Sequence, residues 1–164
     1  MSSRIVGWWS SLNRWQRFRG LTPAQQGLFF RSLIMLPLAA AAIRLKGLGW
    51  VQQRALSRHS VPQAEVASRL QLDQAHEAAV AIDIAARRGI WTANCLQRSV
   101  VLWRELLRLG VNGDLRIGVG PGTARPEMHA WVEVGDVVVN DAPDVGDQFR
   151  PFDKPILPPR ARFD

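Results

Sequence analysis

At Gly110 the hydrophobic period of this chain changes, and that change restricts what it can fold into. Upstream, apolar residues recur at three- and four-residue spacing, as in Leu96, Val100, Trp103 and Leu107, the mark of an amphipathic helix. Downstream, "DLRIGVG", "MHAWVEV" and "DVVVND" alternate or are rich in β-branched residues, as strands are. Helices first and strands later predict the α+β class: N-terminal helices followed by a small antiparallel sheet. The 164 residues suffice for one compact domain with its own core.

Helix boundaries carry their own signals. Thr22-Pro23-Ala24-Gln25 offers a capping residue, a proline for the first turn and a glutamine that can reach back. The helix it starts should run to about Lys46, bend at Pro37 and stop at Gly47 and Gly49. Its apolar stretch, Leu28 to Ile43, is shorter than the roughly 20 residues a bilayer needs and carries Arg31 and Pro37, so it reads as a mostly buried helix. Ser60-Val61-Pro62-Gln63 is a second start, for a short helix near residues 63–70. Asp73 can cap a third helix that ends before Gly89. A fourth runs from about Asn94 to Leu109. The tail from Ala142 holds five of the ten prolines and reads as extended coil.

Charge divides the chain. Residues 1–60 hold nine Arg or Lys and no acidic residue, whereas residues 61–164 hold twelve and fourteen. Ile5, Trp8, Trp9, Leu12 and Trp15 form an apolar stripe with Arg4, Arg14 and Arg17 mostly off it. That is the pattern of a basic amphipathic helix, which packs on the domain's own core or docks to a partner or an anionic membrane. We therefore divide the chain into a basic, Trp-rich helical region, residues 1–60, packed on a core of residues 61–164. The start has no apolar run with a small-residue cleavage site, and a single cysteine cannot form an internal disulfide. A cytoplasmic, reducing setting is expected.

That cysteine, Cys95, stands in the first turn of the fourth helix. Unpaired amides and the helix dipole there favour an anion, lower a thiol's pKa and can hold an oxyanion. Position alone still favours a small core residue, since free cysteines are commonly buried. On "MHAWVEV", Met128, Ala130, Val132 and Val134 share an apolar face, and His129, Trp131 and Glu133 share the other. His129 is thus a base presented off the core face, or a surface histidine. "VGDVVVND" then returns the chain to Asp141, a carboxylate that could orient His129. The hairpin register decides. A two-residue turn at Gly135-Asp136 pairs Ala130 with Asp141 and sets Asp141 opposite to His129. A three-residue loop pairs Trp131 with Asp141, on the face of His129. A Cys95–His129–Asp141 triad therefore predicts an odd loop or a bulge, with Gly135 or Asp136 left-handed.

Other residues carry weaker signals. His59 and His76 are isolated, and no zinc-ligand spacing exists, so no metal or cofactor is expected. The glycine-rich "GVGPGTARPE" lies between strands rather than before a helix, and reads as a mobile loop beside the site. Gln97 and Arg98 read as helix-surface groups, and Asp144 and Asp147 as less fixed substitutes for Asp141.

"NCLQRSVVLWRELLRLGVNGDLRIGVG", "HAWVEV" and "VVND" together resemble the transglutaminase-like cysteine peptidases of lasso-peptide biosynthesis, and "LTPAQQGLFFRSLIMLPLAAAAIRLKGLG" resembles their helical N-terminal region. The resemblance covers about residues 20–142. It implies a papain/transglutaminase-like core with the nucleophile at a helix N-terminus, a triad of Cys95, His129 and Asp141, and no cofactor. It implies removal of the leader from a ribosomally made precursor peptide, delivered by a separate small leader-recognition protein and passed to an ATP-dependent cyclase. Competing expectations are a transglutaminase-like acyltransferase or amidase, and a non-catalytic scaffold binding a membrane surface or, less in keeping with the family, nucleic acid. An activated thiol would react fast with iodoacetamide near neutral pH, and a core thiol would not.

Overall fold

The computed structural model describes residues 22–58, 67–89, 92–121 and 126–152. The Trp-rich stripe and His59 lie outside these residues, as does the Ser60 helix start. Among the described residues four helices precede the sheet: α1 (Pro23–Lys46), α2 (Leu48–Leu56), α3 (Arg69–Arg88) and α4 (Cys95–Arg108). Then come β1 (Asp114–Val119), β2 (Met128–Val134), β3 (Val137–Val138), a four-residue helix α5 (Val145–Gln148) and β4 (Arg150–Pro151). The sheet is antiparallel in the order β3-β2-β1-β4, so the α+β expectation holds.

Capping chemistry sets the helix starts. Thr22 accepts from the Gln25 amide and Gln25 Oε1 accepts from the Thr22 amide at 2.9 Å, which satisfies two of the orphan donors of a helix end. Ser68 and Gln71 do the same for α3, so the third helix starts one turn before Asp73. Ser68 being a cap, the expected helix near residues 63–70 does not extend through it. Asn94 and Gln97 form the corresponding box for α4, at 3.2 and 2.9 Å. Gly47, at φ 82°, ends α1 as expected, but the chain at once begins α2, which glycines at 47 and 49 had argued against. Gly49 sits inside the helix because α2 gains from packing on α1 and α4 what the glycine loses in propensity.

The helices make one layer and the sheet the other, with α4 between them. Val100, Val101, Leu102, Trp103, Leu106 and Leu107 of α4 are all at most 3% exposed. They meet α1 and α3 on one side and the inner sheet face, Leu115, Ala130, Val132 and Val134, on the other. Glu105, 2% exposed, accepts from Arg31 of α1 at 3.2 Å and from Arg108 at 2.9 Å. A buried carboxylate is tolerated only with such partners. The helix α1 is only partly the buried helix expected: Phe29, Ser32, Leu36, Ala39 and Ala40 face the core, whereas Ile34, Leu38 and Leu45 are exposed. By length and composition it is the one helix among the described residues able to cross a membrane.

The tail is not extended coil up to Phe152. The helix α5 turns it back, and β4 pairs with β1 at Gly118 and Val119. This strap covers the outer sheet face, which explains why Trp131 is fully buried although it points away from the α4 side. Gly118 permits the crossing. A Cβ there would lie 2.9 Å from the Trp131 ring and 3.0 Å from the carbonyl oxygens of Phe149 and Arg150. Gly118→Ala is expected to cost about 1–3 kcal/mol through overpacking, read as a lower urea midpoint.

Candidate active site

Each member of the expected triad is placed by a different element. The Asn94 box starts α4 so that Cys95 occupies its first helical position, where the free amides of the first turn and the helix dipole favour a thiolate. The alternation of β2 presents His129 at the end of the sheet, opposite Gly118 of β1. The segment after β3 brings Asp141 in, and His129 Nε2 lies 2.7 Å from Asp141 Oδ2. With Nε2 occupied by the carboxylate, Nδ1 is the ring nitrogen left for the thiol of Cys95, which after Asp141 has the largest raising effect on the ring. The three residues that sequence reasoning selected therefore stand together: a hydrogen bond joins His129 to Asp141, and Cys95 lies near enough to His129 for each to shift the other's titration.

The hairpin reaches this arrangement by a route other than the expected one. Val134 pairs with Val137 and Glu133 with Val138, so the turn is the two-residue Gly135-Asp136, with Gly135 left-handed at φ 62°. The odd loop is absent. The ladder instead stops after Val138, and residues 139–141 bend out of the strand. Opposite faces apply only while pairing continues, so Asp141 is free to reach His129.

Electrostatics couple the group. The hydrogen bond to His129 is the largest influence on Cys95 and outweighs burial, helped by the backbone amides of Ala130 and Leu96 and by the charge of His129; the thiol is held below its ordinary value of 9.0. Asp141 first, then Cys95, raise His129 to about 9 against the opposing effect of burial. Burial would raise Asp141, but the bond from His129, the Ala142 amide donating at 2.8 Å, and the charges of His129 and Arg98 together lower it. The thiol is thus moved toward the thiolate and the ring toward the imidazolium, beside a carboxylate held below its ordinary value. Phe149 stacks on the His129 ring at 4.6 Å and Trp131 lies 6.3 Å away, which limits the ring's rotation. Trp131 Nε1 donates to Glu133 Oε1 at 2.8 Å, and Arg116 holds the other Glu133 oxygen at the same distance.

Sequence reasoning missed several neighbours. Arg98, expected at the helix surface, is only partly exposed: its Nη1 donates to Asp83 Oδ1 at 2.9 Å, and it lines a small hollow with Cys95, Asp141, Asn140 and Ala130. Its i+3 spacing from Cys95 was the available signal. Phe149 could not be found, because its role depends on where the tail returns. Asp144, just before α5, accepts from Gln148, and exposed His76 bonds to the carbonyl of Leu72 at 2.9 Å. Gln97 serves the helix cap. The Gly118–Glu127 loop is closed by Gly120 donating to the Glu127 carbonyl at 2.8 Å; residues 122–125 lie outside the described residues. Among the described residues no three His, Cys, Asp or Glu are grouped to hold a metal ion.

Comparison with known proteins agrees with this architecture. The family model of the transglutaminase-like superfamily matches residues 35–153, a span that includes Cys95, His129 and Asp141. No curated protein and no solved structure matches the chain. A match over most of the length, on a helical layer followed by a small antiparallel sheet, places the chain: it belongs to the transglutaminase-like superfamily.

Proposed function

We propose that the protein is a cysteine peptidase that removes the leader from a ribosomally synthesised lasso-peptide precursor. The observation that carries a hydrolytic or acyl-transfer role is the Cys95–His129–Asp141 alignment, with the 2.7 Å bond from His129 to Asp141 and the thiol at the start of α4. The substrate class rests on the sequence strings that resemble lasso-peptide leader peptidases, "NCLQRSV" and "HAWVEV" above all.

In this reading the Cys95 thiolate attacks the carbonyl carbon at the leader–core junction. The oxyanion is held by the amide of Cys95, which the helix start leaves unpaired. The imidazolium of His129 gives its Nδ1 proton to the leaving nitrogen, so the core departs with a free amino terminus and the leader remains as a thioester. His129, again neutral, takes a proton from water; the hydroxide attacks the thioester, and the leader acid and the thiolate–imidazolium pair result. Asp141 keeps the ring in the tautomer with the proton on Nε2 and stabilises its cation. A separate leader-recognition protein would deliver the precursor, a cyclase would consume the freed core, and the lone cysteine suits a cytoplasmic setting.

Purified chain, precursor and recognition protein, followed by mass spectrometry, test the reading. The expected products are a leader ending in a free carboxylate and a core with a free amine. A new isopeptide in their place would assign acyl transfer to an amine, and an unchanged precursor would remove the peptidase reading.

A further inference from the structure

The ladder between β2 and β3 ends one hydrogen bond early, and a side chain fills the gap. In a regular continuation Val132 would pair with Val139 through two backbone bonds. The first is made: the amide of Val139 donates to the carbonyl of Val132 at 3.0 Å. For the second, the amide of Val132 donates at 2.7 Å to Oδ1 of Asn140, where a continued ladder would use the carbonyl of Val139. The other end of the same carboxamide, Nδ2, donates at 2.9 Å to Oγ of Ser99 on α4. Ser99 is fully buried and its hydroxyl donates at 2.8 Å to the carbonyl of Ala130.

Two consequences meet at the site. Residues two apart on a strand direct their backbone groups to the same edge, so Ala130, like Val132, faces the edge that β3 has left. Its carbonyl takes Ser99, and its amide is left toward Cys95, whose thiol it helps to hold below its ordinary value. A ladder continued to Asp141 would have occupied that amide and set the carboxylate on the face opposite to His129. Cys95 and Ser99, one turn apart on α4, thus grip one residue of β2, and Asn140 holds the gap open.

We propose that Asn140 is a positioning residue: its carboxamide replaces the last rung of the β2–β3 ladder, and so turns Asp141 onto His129 and leaves the Ala130 amide to Cys95. The inference rests on the proposed nucleophile–base pair, but its test needs no peptide. The charged groups around His129 are Asp141 and Cys95, with Arg98 acting on Asp141. Proton NMR follows the His129 ring through pH in folded wild type, Asn140→Ala, Asn140→Ser and Asn140→Asp, with His129→Gln identifying its signal, and iodoacetamide reports the Cys95 thiolate.

Asn140→Asp keeps an acceptor for Val132 but gives up the donor to Ser99 and adds a negative charge to the hollow, so His129 is expected at or above its wild-type midpoint. Asn140→Ala and Asn140→Ser lack an oxygen that reaches; they are expected to lower the midpoint by at least about one unit and slow Cys95 alkylation at pH 7 by about tenfold. If Asn140→Ala does not fold, the Ser and Asp variants decide. Lower thermal stability with an unmoved midpoint in the Ala or Ser variant would overturn the proposal, as would an equal drop in all three. An inactive chain that shows the expected NMR pattern removes the peptidase reading alone. A chain that cleaves a leader while its Asn140→Ala midpoint stays put removes this inference alone.

Discussion

On the proposed peptidase reading, Cys95→Ala is expected to abolish processing: turnover with a leader-recognition protein present falls by at least about 10⁴-fold, because no other group in the hollow can form the thioester. Leader binding survives, since the thiol is a small, half-buried group and its loss costs the fold at most about 1 kcal/mol. Cys95→Ser fails as well. A hydroxyl keeps the size but has far too high a pKa for His129 to hold it as an anion, whereas the thiol already lies below its ordinary value. Mass spectrometry for cleavage and calorimetry for leader binding read the two halves separately. Normal processing by Cys95→Ala would remove Cys95 as nucleophile.

Asp141→Asn has the next largest effect, a loss on the order of 10²–10⁴-fold in kcat/KM at neutral pH. The carboxylate is the main reason His129 titrates near 9 rather than 6.5. Without it, the ring loses its cation near neutral pH and the thiolate loses the charge that lowers it. In the wild type, the thiolate–imidazolium pair exists from the lowered thiol pKa up to about 9. In Asp141→Asn, the alkaline edge of that window falls toward 6.5 while the acid edge rises, so the window closes.

Stability follows the same signs. The raised pKa of His129 contributes stability that is complete below 6.5 and lost as pH climbs through about 9. The lowered pKa of Asp141 contributes stability present above its ordinary value of 3.8 and lost as pH falls through its folded value. The difference in Tm between wild type and Asp141→Asn should therefore be greatest between about pH 4 and 6.5 and shrink toward pH 9. A flat difference across that range would show that Asp141 and His129 do not titrate as a pair.

What could be read in advance differs by element. The helix starts at Thr22 and Asn94 were legible because a capping box is a local device, complete within four residues. The start of α3 was missed although Ser68 and Gln71 form the same local box, because residues 63–70 read as a preceding helix that holds Ser68, which leaves Asp73 as the cap. The interior of β2 was legible in its alternation, but the burial of Trp131 was not: it depends on a strap that arrives eighteen residues later, Phe149, and no local pattern announces it. The ion pair of Arg98 could not be foreseen because its partner, Asp83, lies on another helix.

Asp141 shows the division most clearly. The order of types along the chain, a cysteine at a helix start, a histidine on a strand and an aspartate after the hairpin, was enough to single out Cys95, His129 and Asp141. Periodicity and capping are properties of a few neighbouring residues, and the sequence by itself determined the class of the fold and the candidates for the site. It did not determine how Asp141 comes round. Reasoning from register required an odd loop; the structure keeps the two-residue turn and breaks the ladder at Val139. The break is held by Ser99, forty-one residues from Asn140. Only tertiary packing of α4 on β2 brings that hydroxyl within reach, and a hydrogen bond between distant residues exists only once the chain has folded around it.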